Sequence, residues 1–522
     1  MSSSRKALAL LIASIIIIGP ALTLTSCVYK NGEKLLATDK ETAQANGEGE
    51  SLHNGLPYVT LTYYFPHNIQ PGQDEVYDEF NKKLKERINA TIDFKGTVWA
   101  DYANKIQMLD ASGEEYDLCF TSNWMNSYIQ NASKGAYLPL DDLLVEYAPK
   151  TFAQVPMQYW DISRVRGKIY GVINYQIMVR CAAVASEEEK LKRHKFDLKA
   201  ETKPNDLRSL EPYIEKAIND VPGSYTHVLL SDMSEYCRLD TLVGSNTPGA
   251  IDVDAGNTKV INQFKDSKRY RDLVKLLQDW NKKGWQAADV RITRKVDDPI
   301  DDRARKFVIG VGGAYTPYLE GISSLGYGFH SLVVPSGKPI ATTGGVISSL
   351  TAISRNSKNP ERAMMYLEEI NTDTDLYMTL NYGIKGKHWD VEDGFMVQGP
   401  EQQQYNPNVS WMHACMFTGI PAKGLPKNIW DQVKEMNETA DRSPLLGFTF
   451  NSEPVKAEVG KCQAVYDEYY RAIEIGAITD EQYQEFLDKL DAAGAEKIIE
   501  EMQRQVDEWL ASREKNSEEQ YN

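Results

Sequence analysis

Aromatic and small polar side chains follow several predicted strands of this chain, at the points where a strand gives way to a loop. Aromatic rings offer flat apolar faces and their polar neighbours offer hydrogen bonds, which together suit a neutral solute. Trp124 and Tyr315 are the strongest candidates, because each lies in a polar or glycine-rich loop and not on a periodic apolar face. The candidate ligand-binding residues are Tyr63, Tyr64, Trp99, Asn123, Trp124, Asp161, Tyr175, Tyr315 and Trp389.

The acidic residues and histidines do not form a pattern typical of an enzyme. Asp141-Asp142 and Glu187-Glu188-Glu189 are neighbours in sequence, whereas glycosidase carboxylates face each other across ~5–9.5 Å. We expect the pair to cap a helix and the run to lie on a solvated face. The chain also has no His-Glu-x-x-His and no Gly-x-Ser-x-Gly motif. The sequence therefore predicts no catalytic residues.

Two motifs could hold a cofactor or a metal, and both are incomplete. Residues 310–313 (Gly-Val-Gly-Gly) lack the Gly-Lys-Ser/Thr ending of a phosphate loop and the Gly-x-Gly-x-x-Gly spacing, so we expect close backbone packing at a turn. Residues 252–257 loosely resemble a calcium loop, but its twelfth position is Gln263 where a bidentate glutamate is needed. A turn is expected there, and neither a cofactor nor a metal is expected in the protein.

The cysteines do not suggest a metal site either. Five of the six are widely spaced, without a Cys-x-x-Cys pair: Cys119, Cys181, Cys237, Cys415 and Cys462. We expect buried free thiols that behave as small hydrophobes. A single disulfide is the alternative in an oxidising compartment.

The composition is that of an ordinary globular protein, with 42% hydrophobic and 25% charged residues. A length of 522 residues is too great for one core and predicts two or three domains. The net charge of −16 opposes binding to phosphate backbones, so nucleic acid is not expected as a partner.

The first 27 residues resemble a bacterial lipoprotein signal. Arg5 and Lys6 precede an uncharged, almost wholly apolar run from Ala7 to Leu24, and Cys27 follows directly after two hydroxyl residues. The resemblance implies that Cys27 is lipidated and becomes the mature N-terminus. The alternative is a single spanning helix, since about 18 apolar residues can just cross a bilayer.

Strands and helices alternate from residue 58 onward. Strands are predicted at 58–65, 91–95, 116–120, 168–173, 307–313, 331–335 and 344–353, and amphipathic helices at 76–88, 101–110, 270–280 and 359–370. Residues 184–222 are charged and predicted as helical, and the tail ends in a helix around 498–510. This alternation predicts an α/β fold with parallel sheets. Ligands in such folds bind beyond the carboxyl ends of the strands.

Several segments resemble the sugar-type extracellular solute-binding proteins of bacterial ATP-driven importers. They are residues 113–118, 135–143, 167–172, 344–346 and 359–363, taken in order with the N-terminal signal. Residues 381–389 and 442–448 resemble a C-terminal domain of unknown function found on some of these lipoproteins. One departure is Asn174, which follows residues 171–173 where family members often show Gly-x-Pro.

The resemblance implies a two-lobed, type II periplasmic-binding-protein-like clamp that closes on its ligand by a hinge motion. The expected parts are a signal peptide (1–26), a flexible linker (27–57), lobe 1 (58–165 plus about 341–375), lobe 2 (166–340) and a mostly helical C-terminal domain (376–522) that packs on the lobes.

The implied function is capture of a carbohydrate, expected to be an oligosaccharide, and its delivery to ABC permease subunits by lobe closure. We expect a monomer, lipid-anchored on the extracytoplasmic face of the cell membrane, that makes and breaks no bond. The alternatives are a secreted carbohydrate-active enzyme and a binding protein for a non-sugar solute.

Overall fold

The computed structural model describes residues 55–229, 233–286, 307–318 and 330–521. The predicted lipidation site Cys27 and the predicted signal peptide (1–26) lie outside these residues. The strands are β1 (Val59–Pro66), β2 (Ala90–Thr97), β3 (Leu118–Thr121), β4 (Val172–Ile173), β5 (Val179–Arg180), β6 (Ala182–Glu187), β7 (Tyr225–Val228), β8 (Leu239–Thr241), β9 (Ala250–Asp252), β10 (Phe307–Ala314), β11 (Ser331–Pro335), β12 (Ile340–Ala341), β13 (Leu350–Ile353), β14 (Trp389–Glu392), β15 (Phe395–Gln398) and β16 (Asp441–Arg442).

The helices before residue 340 are α1 (Gln73–Ile88), α2 (Trp99–Ser112), α3 (Tyr128–Ser133), α4 (Asp141–Tyr147), α5 (Pro149–Gln154), α6 (Met157–Ser163), α7 (Glu188–Arg193), α8 (Leu198–Glu201), α9 (Glu211–Asp220), α10 (Met233–Tyr236), α11 (Gln263–Asp266) and α12 (Lys268–Lys282). The later helices are α13 (Thr343–Val346), α14 (Pro360–Thr372), α15 (Thr374–Tyr382), α16 (Ser410–His413), α17 (Ile429–Thr439), α18 (Lys456–Glu474), α19 (Asp480–Ala493) and α20 (Ala495–Tyr521).

The first sheet, here called sheet A, has the strand order β2-β1-β3-β13-β4. β1 runs parallel to β2 and β3, while β13 is antiparallel to both β3 and β4. The apolar stripe of α1, with Val76, Phe80 and Leu84 fully buried, shows why these residues form a helix that covers the sheet.

The second sheet, sheet B, has the order β11-β6-β10-β7. Its core also takes side chains from the C-terminal helices, including Cys462 of α18, Phe486 of α19 and Met502 of α20. The C-terminal helices are therefore a structural part of this second core, since their apolar side chains are buried in it.

A small sheet of order β16-β12-β5, here called the linking sheet, joins the two larger sheets. β5 lies between β4 of sheet A and β6 of sheet B, and β12 lies between β11 of sheet B and β13 of sheet A. β16 leads from α17, which packs on the linking sheet through Val433 and Met436, to the helices of the second core. The chain thus crosses three times between the halves.

Most predicted elements are confirmed, and the errors have local causes. Residues 343–346 form a helix and not the start of a strand, because Thr342 Oγ1 caps the turn by accepting from Gly345 N at 3.1 Å. Residues 184–187 were predicted as helical but belong to β6, because this strand lies between β10 and β11. Gly310 and Gly312 lie within a strand and not at a turn, although Gly312 does pack closely, since a Cβ there would lie 2.6 Å from Leu229 Cβ.

The cysteine and calcium-loop expectations agree with the structure. Cys119, Cys181, Cys237, Cys415 and Cys462 are free and buried. Asp252 ends a strand and its carboxylate accepts from Asp254 N at 3.0 Å, which makes a turn. Among the described residues, no group of three or more potential metal ligands is present, and no described helix has the length and apolar content of a membrane span.

Candidate functional site

The strand register brings the loops that follow three strands of sheet A to one edge. β1, β2 and β3 are parallel, and Leu350 at the start of β13 pairs with Thr121 at the end of β3. In sheet B, Ala314 at the end of β10 pairs with Ala182 at the start of β6. The linking sheet connects these two edges, so the residues at them are the ones placed to meet a ligand.

Three tryptophans at the edge of sheet A form a cluster, here called the tryptophan platform. Trp99 follows β2, Trp124 follows β3 and Trp411 belongs to α16. The Trp99 and Trp124 rings are stacked, with centroids 6.3 Å apart and planes at 16°. Trp411 lies 6.0 Å from Trp124 and 6.3 Å from Trp99. Their proximity makes a continuous aromatic surface of the kind that packs on C–H faces.

Trp124 is the exposed member of the platform. Half of its surface (50%) is accessible, which is unusual for the largest apolar side chain. Its indole Nε1 donates to the Ser348 carbonyl at 2.9 Å, and its ring packs on Phe120 at 5.9 Å. The ring is thus fixed at its polar end, while half of the residue's surface remains accessible to solvent.

Trp411 was missed by the sequence analysis, and the hydrogen bonds around it explain its placement. Its carbonyl accepts from Ser349 Oγ at 3.0 Å and from Gln176 Nε2 at 3.2 Å. The neighbouring Met412 carbonyl accepts from Asn174 Nδ2 at 2.5 Å. No local pattern marks Trp411 as a site residue, because its partners come from two distant parts of the chain.

Asn123 lies beside the platform and is exposed. Its backbone N donates to the Ile347 carbonyl at 3.0 Å, and its Nδ2 would lie 3.0 Å from a Cβ on Gly344. A Cβ on Gly345 would clash with the Met178 carbonyl oxygen. Because Gly344 and Gly345 have no side chain, this turn fits between Asn123 and the Met178 carbonyl. The exposed side-chain amide of Asn123 therefore lies near the platform.

Three of the predicted aromatic residues lie inside the hydrophobic core. Tyr63, Tyr175 and Trp389 are 0%, 2% and 5% exposed. Trp389 Nε1 donates to the Gly383 carbonyl at 2.7 Å, so its polar atom is satisfied internally. Burial also raises the pKa of the Tyr63 and Tyr175 hydroxyls well above their usual value. Almost no surface of Tyr63, Tyr175 or Trp389 is therefore left for a ligand to contact.

The remaining predicted residues lie away from the platform rings. Tyr64 is half-buried, and its ring meets that of Tyr116 edge-on at 5.8 Å. Asp161 is exposed and pairs with Arg164 Nε at 3.2 Å. Tyr315 follows β10, donates its backbone N to the Cys181 carbonyl at 2.7 Å, and packs against the apolar cluster of the linking sheet. Of these, Tyr315 is at the sheet B edge that faces the crossings.

The paired acids have structural partners. Asp141 accepts from Arg164 Nη1 at 2.6 Å and from Ile169 N at 3.2 Å, in place of the expected helix cap. Glu188 pairs with Lys192 at 2.9 Å, and this hydrogen bond lowers the pKa of the Glu188 carboxyl. The carboxylates of Asp141 and Glu188 are thus held in ion pairs, and none of these bonds involves a residue of the tryptophan platform.

Comparison with known proteins gives relatives of one kind. Residues 444–511 match the family model of a domain of unknown function, DUF3502. The chain is 28% identical over 454 residues to a carbohydrate ABC transporter substrate-binding protein of Streptococcus pneumoniae serotype 4, covering 84% of this chain and 89% of the relative.

The solved structures agree. The crystal structure of the N-glycan transport solute-binding protein NgtS from Streptococcus pneumoniae matches with a TM-score of 0.77 and 25% identity, covering 87% of this chain and 99% of the other. The NgtS complex with Man1GlcNAc has a TM-score of 0.68 at 24% identity, covering 87% of this chain and all (100%) of the other. The complex with Man5GlcNAc has a TM-score of 0.66 at 25% identity, covering 87% and 99%.

The type II periplasmic-binding-protein-like fold, predicted from the sequence, is confirmed by these matches. The matched relatives are substrate-binding proteins of importers and not enzymes. In sequence, fold and C-terminal domain, the chain is therefore similar to solute-binding proteins of the type that serves carbohydrate ABC importers.

Proposed function

We propose that the protein captures an oligosaccharide at the tryptophan platform and delivers it to the permease of an ABC importer when the two halves close. The observation that carries the proposal is the half-exposed Trp124 ring, stacked on Trp99 at the sheet edge that faces the crossings. An aromatic face suits the apolar side of a sugar ring, while the nearby Asn123 amide suits its hydroxyls. Binding is reversible, and no bond is made or broken.

The ligand class is proposed from the relatives and from the site together. NgtS forms complexes with Man1GlcNAc and Man5GlcNAc, and we propose that this chain also binds a neutral glycan. The rings of the platform are uncharged, and Asp161, the one charged residue predicted for the site, is held by Arg164. A neutral ligand would therefore meet no unpaired charge from these residues.

A protein of this type works on the extracytoplasmic side of the membrane. We further propose that Cys27 carries the lipid anchor and that residues 27–57 tether the folded part, which comprises lobe 1 (58–165 plus about 341–375), lobe 2 (166–340) and the C-terminal domain (376–522). The order of basic, apolar and small residues before Cys27 supports this assignment. The protein is proposed to act as a monomer, with permease subunits as its protein partner.

The test is a titration of Man1GlcNAc and Man5GlcNAc into the full-length protein, purified in detergent, by isothermal titration calorimetry. We expect binding, and Trp124→Ala is expected to weaken it at least tenfold, equivalent to ~1.4 kcal/mol. Because Trp124 is half-exposed, the melting temperature without ligand should change little. Equal loss of fold and binding would assign Trp124 to the core, and failure to bind either glycan would contradict the proposed ligand class.

A further inference from the structure

A second apolar surface continues from the tryptophan platform along the edge of sheet A. Ile69 is 81% exposed and Val98 is 59% exposed, in the loops that follow β1 and β2. His67 N donates to the Thr97 carbonyl at 2.8 Å, which holds the two loops together. Val98 directly precedes Trp99, so the exposed aliphatic surface adjoins the platform. Isolated exposed aliphatic residues are normal, but neighbouring ones next to a binding surface indicate an extension of it.

Hydrogen bonds fix the Ile69 loop against the segment that leads to Trp411. The Gln70 side chain bridges the two: its Nε2 donates to the Asn68 carbonyl at 2.8 Å, and its Oε1 accepts from Asn406 N at 3.1 Å. Gly72 N also donates to the Gln404 carbonyl at 2.8 Å. The loop is therefore held in place before any ligand arrives, which reduces the entropy lost on binding.

The polar groups of this surface are neutral amides. The side chains of Asn68 and Asn406 are both exposed, and an amide can donate to and accept from hydroxyl groups. Lys387, whose carbonyl accepts from Glu401 N in the adjoining segment, is bonded to the Glu75 carboxylate and lies 3.6 Å from the Glu401 carboxylate. Its charge is thus compensated locally.

We propose that Asn68, Ile69, Gln70, Val98 and Asn406, here called the outer rim, form a second ligand subsite. It takes the sugar residues of a neutral oligosaccharide that extend beyond the tryptophan platform. The proposal rests on the proposed function and adds the length of the ligand to it. Aliphatic side chains beside free amides match the alternating C–H faces and hydroxyls of sugar residues, and continuity with the platform makes the occupant part of the same ligand.

The test compares a short and a long glycan on three full-length proteins in detergent: wild type, the double variant Ile69→Ser/Val98→Ser, and the control Val145→Ser. Val145 is a matched control because it is 62% exposed and lies on α4, away from the outer rim. The probes are Man1GlcNAc and Man5GlcNAc. The outer rim predicts that the double variant loses about tenfold in affinity for Man5GlcNAc and none for Man1GlcNAc, as expected for partial burial of two aliphatic side chains.

Each other outcome overturns the outer rim. Unchanged affinity for both glycans would show that these side chains do not meet the ligand. Equal weakening of both would show that they act on the platform and not on distal sugars. Trp124→Ala separates the two proposals, because it should weaken both glycans even where the outer rim fails. If wild type binds neither glycan, the ligand class proposed above fails and the outer rim fails with it.

Discussion

Asn437 and Asp441, four positions apart on the third crossing, are held by opposite halves of the molecule. Asn437 Oδ1 accepts from Met178 N at 2.8 Å, and its Nδ2 donates to the Gln176 carbonyl at 2.8 Å, both on the sheet A side of the first crossing. Asp441 accepts from Arg238 Nη2 at 2.6 Å, next to β8 in the second core. Residues 438–440 therefore connect a segment that is bonded to the sheet A side with a segment that is bonded to the second core.

Arg238 is the residue that ties two crossings to the second core. Its guanidinium is 6% exposed and also donates to the Lys338 carbonyl at 2.7 Å and to Asp254 Oδ1 at 2.7 Å. We expect Arg238→Met to lower the free energy of unfolding by about 2 kcal/mol, because the Lys338 carbonyl and the partly exposed carboxylates of Asp254 and Asp441 lose a charged donor.

Arg269→Met is the matched control for Arg238, since Arg269 also pairs with Asp254 but is 38% exposed. Its loss should cost at most about 1 kcal/mol, as for surface ion pairs. Chemical denaturation of both variants measures the difference. Similar losses for the two arginines would contradict the anchoring role of Arg238.

The second prediction concerns Trp411. Trp411→Ala should weaken glycan binding about tenfold, ~1.4 kcal/mol. The reason is that the variant lacks one ring of the platform, and that ring also packs against Trp124. Trp411→Phe should recover part of the affinity, since a smaller ring still packs. Calorimetric titration with Man5GlcNAc measures both, and wild-type affinity in Trp411→Ala would remove this residue from the site.

Trp389 should behave in the opposite way. Its indole is buried and donates to the Gly383 carbonyl, so Trp389→Phe should lower stability by about 1–3 kcal/mol through the unpaired carbonyl. Glycan affinity should stay at the wild-type value. Thermal unfolding and titration of the same preparation distinguish the two effects, and a loss of affinity at unchanged stability would return Trp389 to the site.

A pH dependence follows from Asp240 in β8. Burial raises the pKa of its carboxyl from 3.8 to about 6, although the hydrogen bond from Ser443 Oγ at 2.5 Å lowers it in part. Between about pH 4 and pH 6 the folded state holds a proton that the unfolded state has released. Stability from this group is therefore full below about pH 4 and is lost as the pH rises through about 6, by about 3 kcal/mol in all.

Asp240→Asn removes this titration while keeping the shape of the side chain. The variant should gain stability relative to wild type as the pH rises from 4 to about 6.5, and the difference should then stay constant. Denaturation across pH measures it, with Asp431→Asn, at an exposed aspartate, as the control for the substitution itself. Parallel curves for wild type and Asp240→Asn would contradict the prediction.

Lipidation is tested by membrane fractionation. Cys27→Ser should move the protein from the membrane fraction into the soluble fraction, because acyl chains supply ~0.8 kcal/mol per buried CH₂ and the variant cannot receive them. Retention of the variant in the membrane would support the alternative, a spanning helix formed by residues 7–24.

The sequence predicted elements whose signal is local. The α1 stripe and β1 were recognisable because burial on one face imposes a period on the residues themselves. The positions of Trp99 and Trp124 after strands were also predicted, since they follow from the strand pattern. Residues 344–346 were assigned wrongly to a strand, because a capped turn of small residues has no apolar period to distinguish it from a strand.

By itself the sequence determined the α/β class, the strands whose ends carry aromatic residues, and the motifs that point to a solute-binding protein, because each is written in neighbouring residues. The tertiary structure decided which of those aromatic side chains are accessible: it buried Tyr63, Tyr175 and Trp389 and joined Trp411 to Trp124. Burial and ring contact depend on how distant segments pack against each other, and no local pattern encodes that packing.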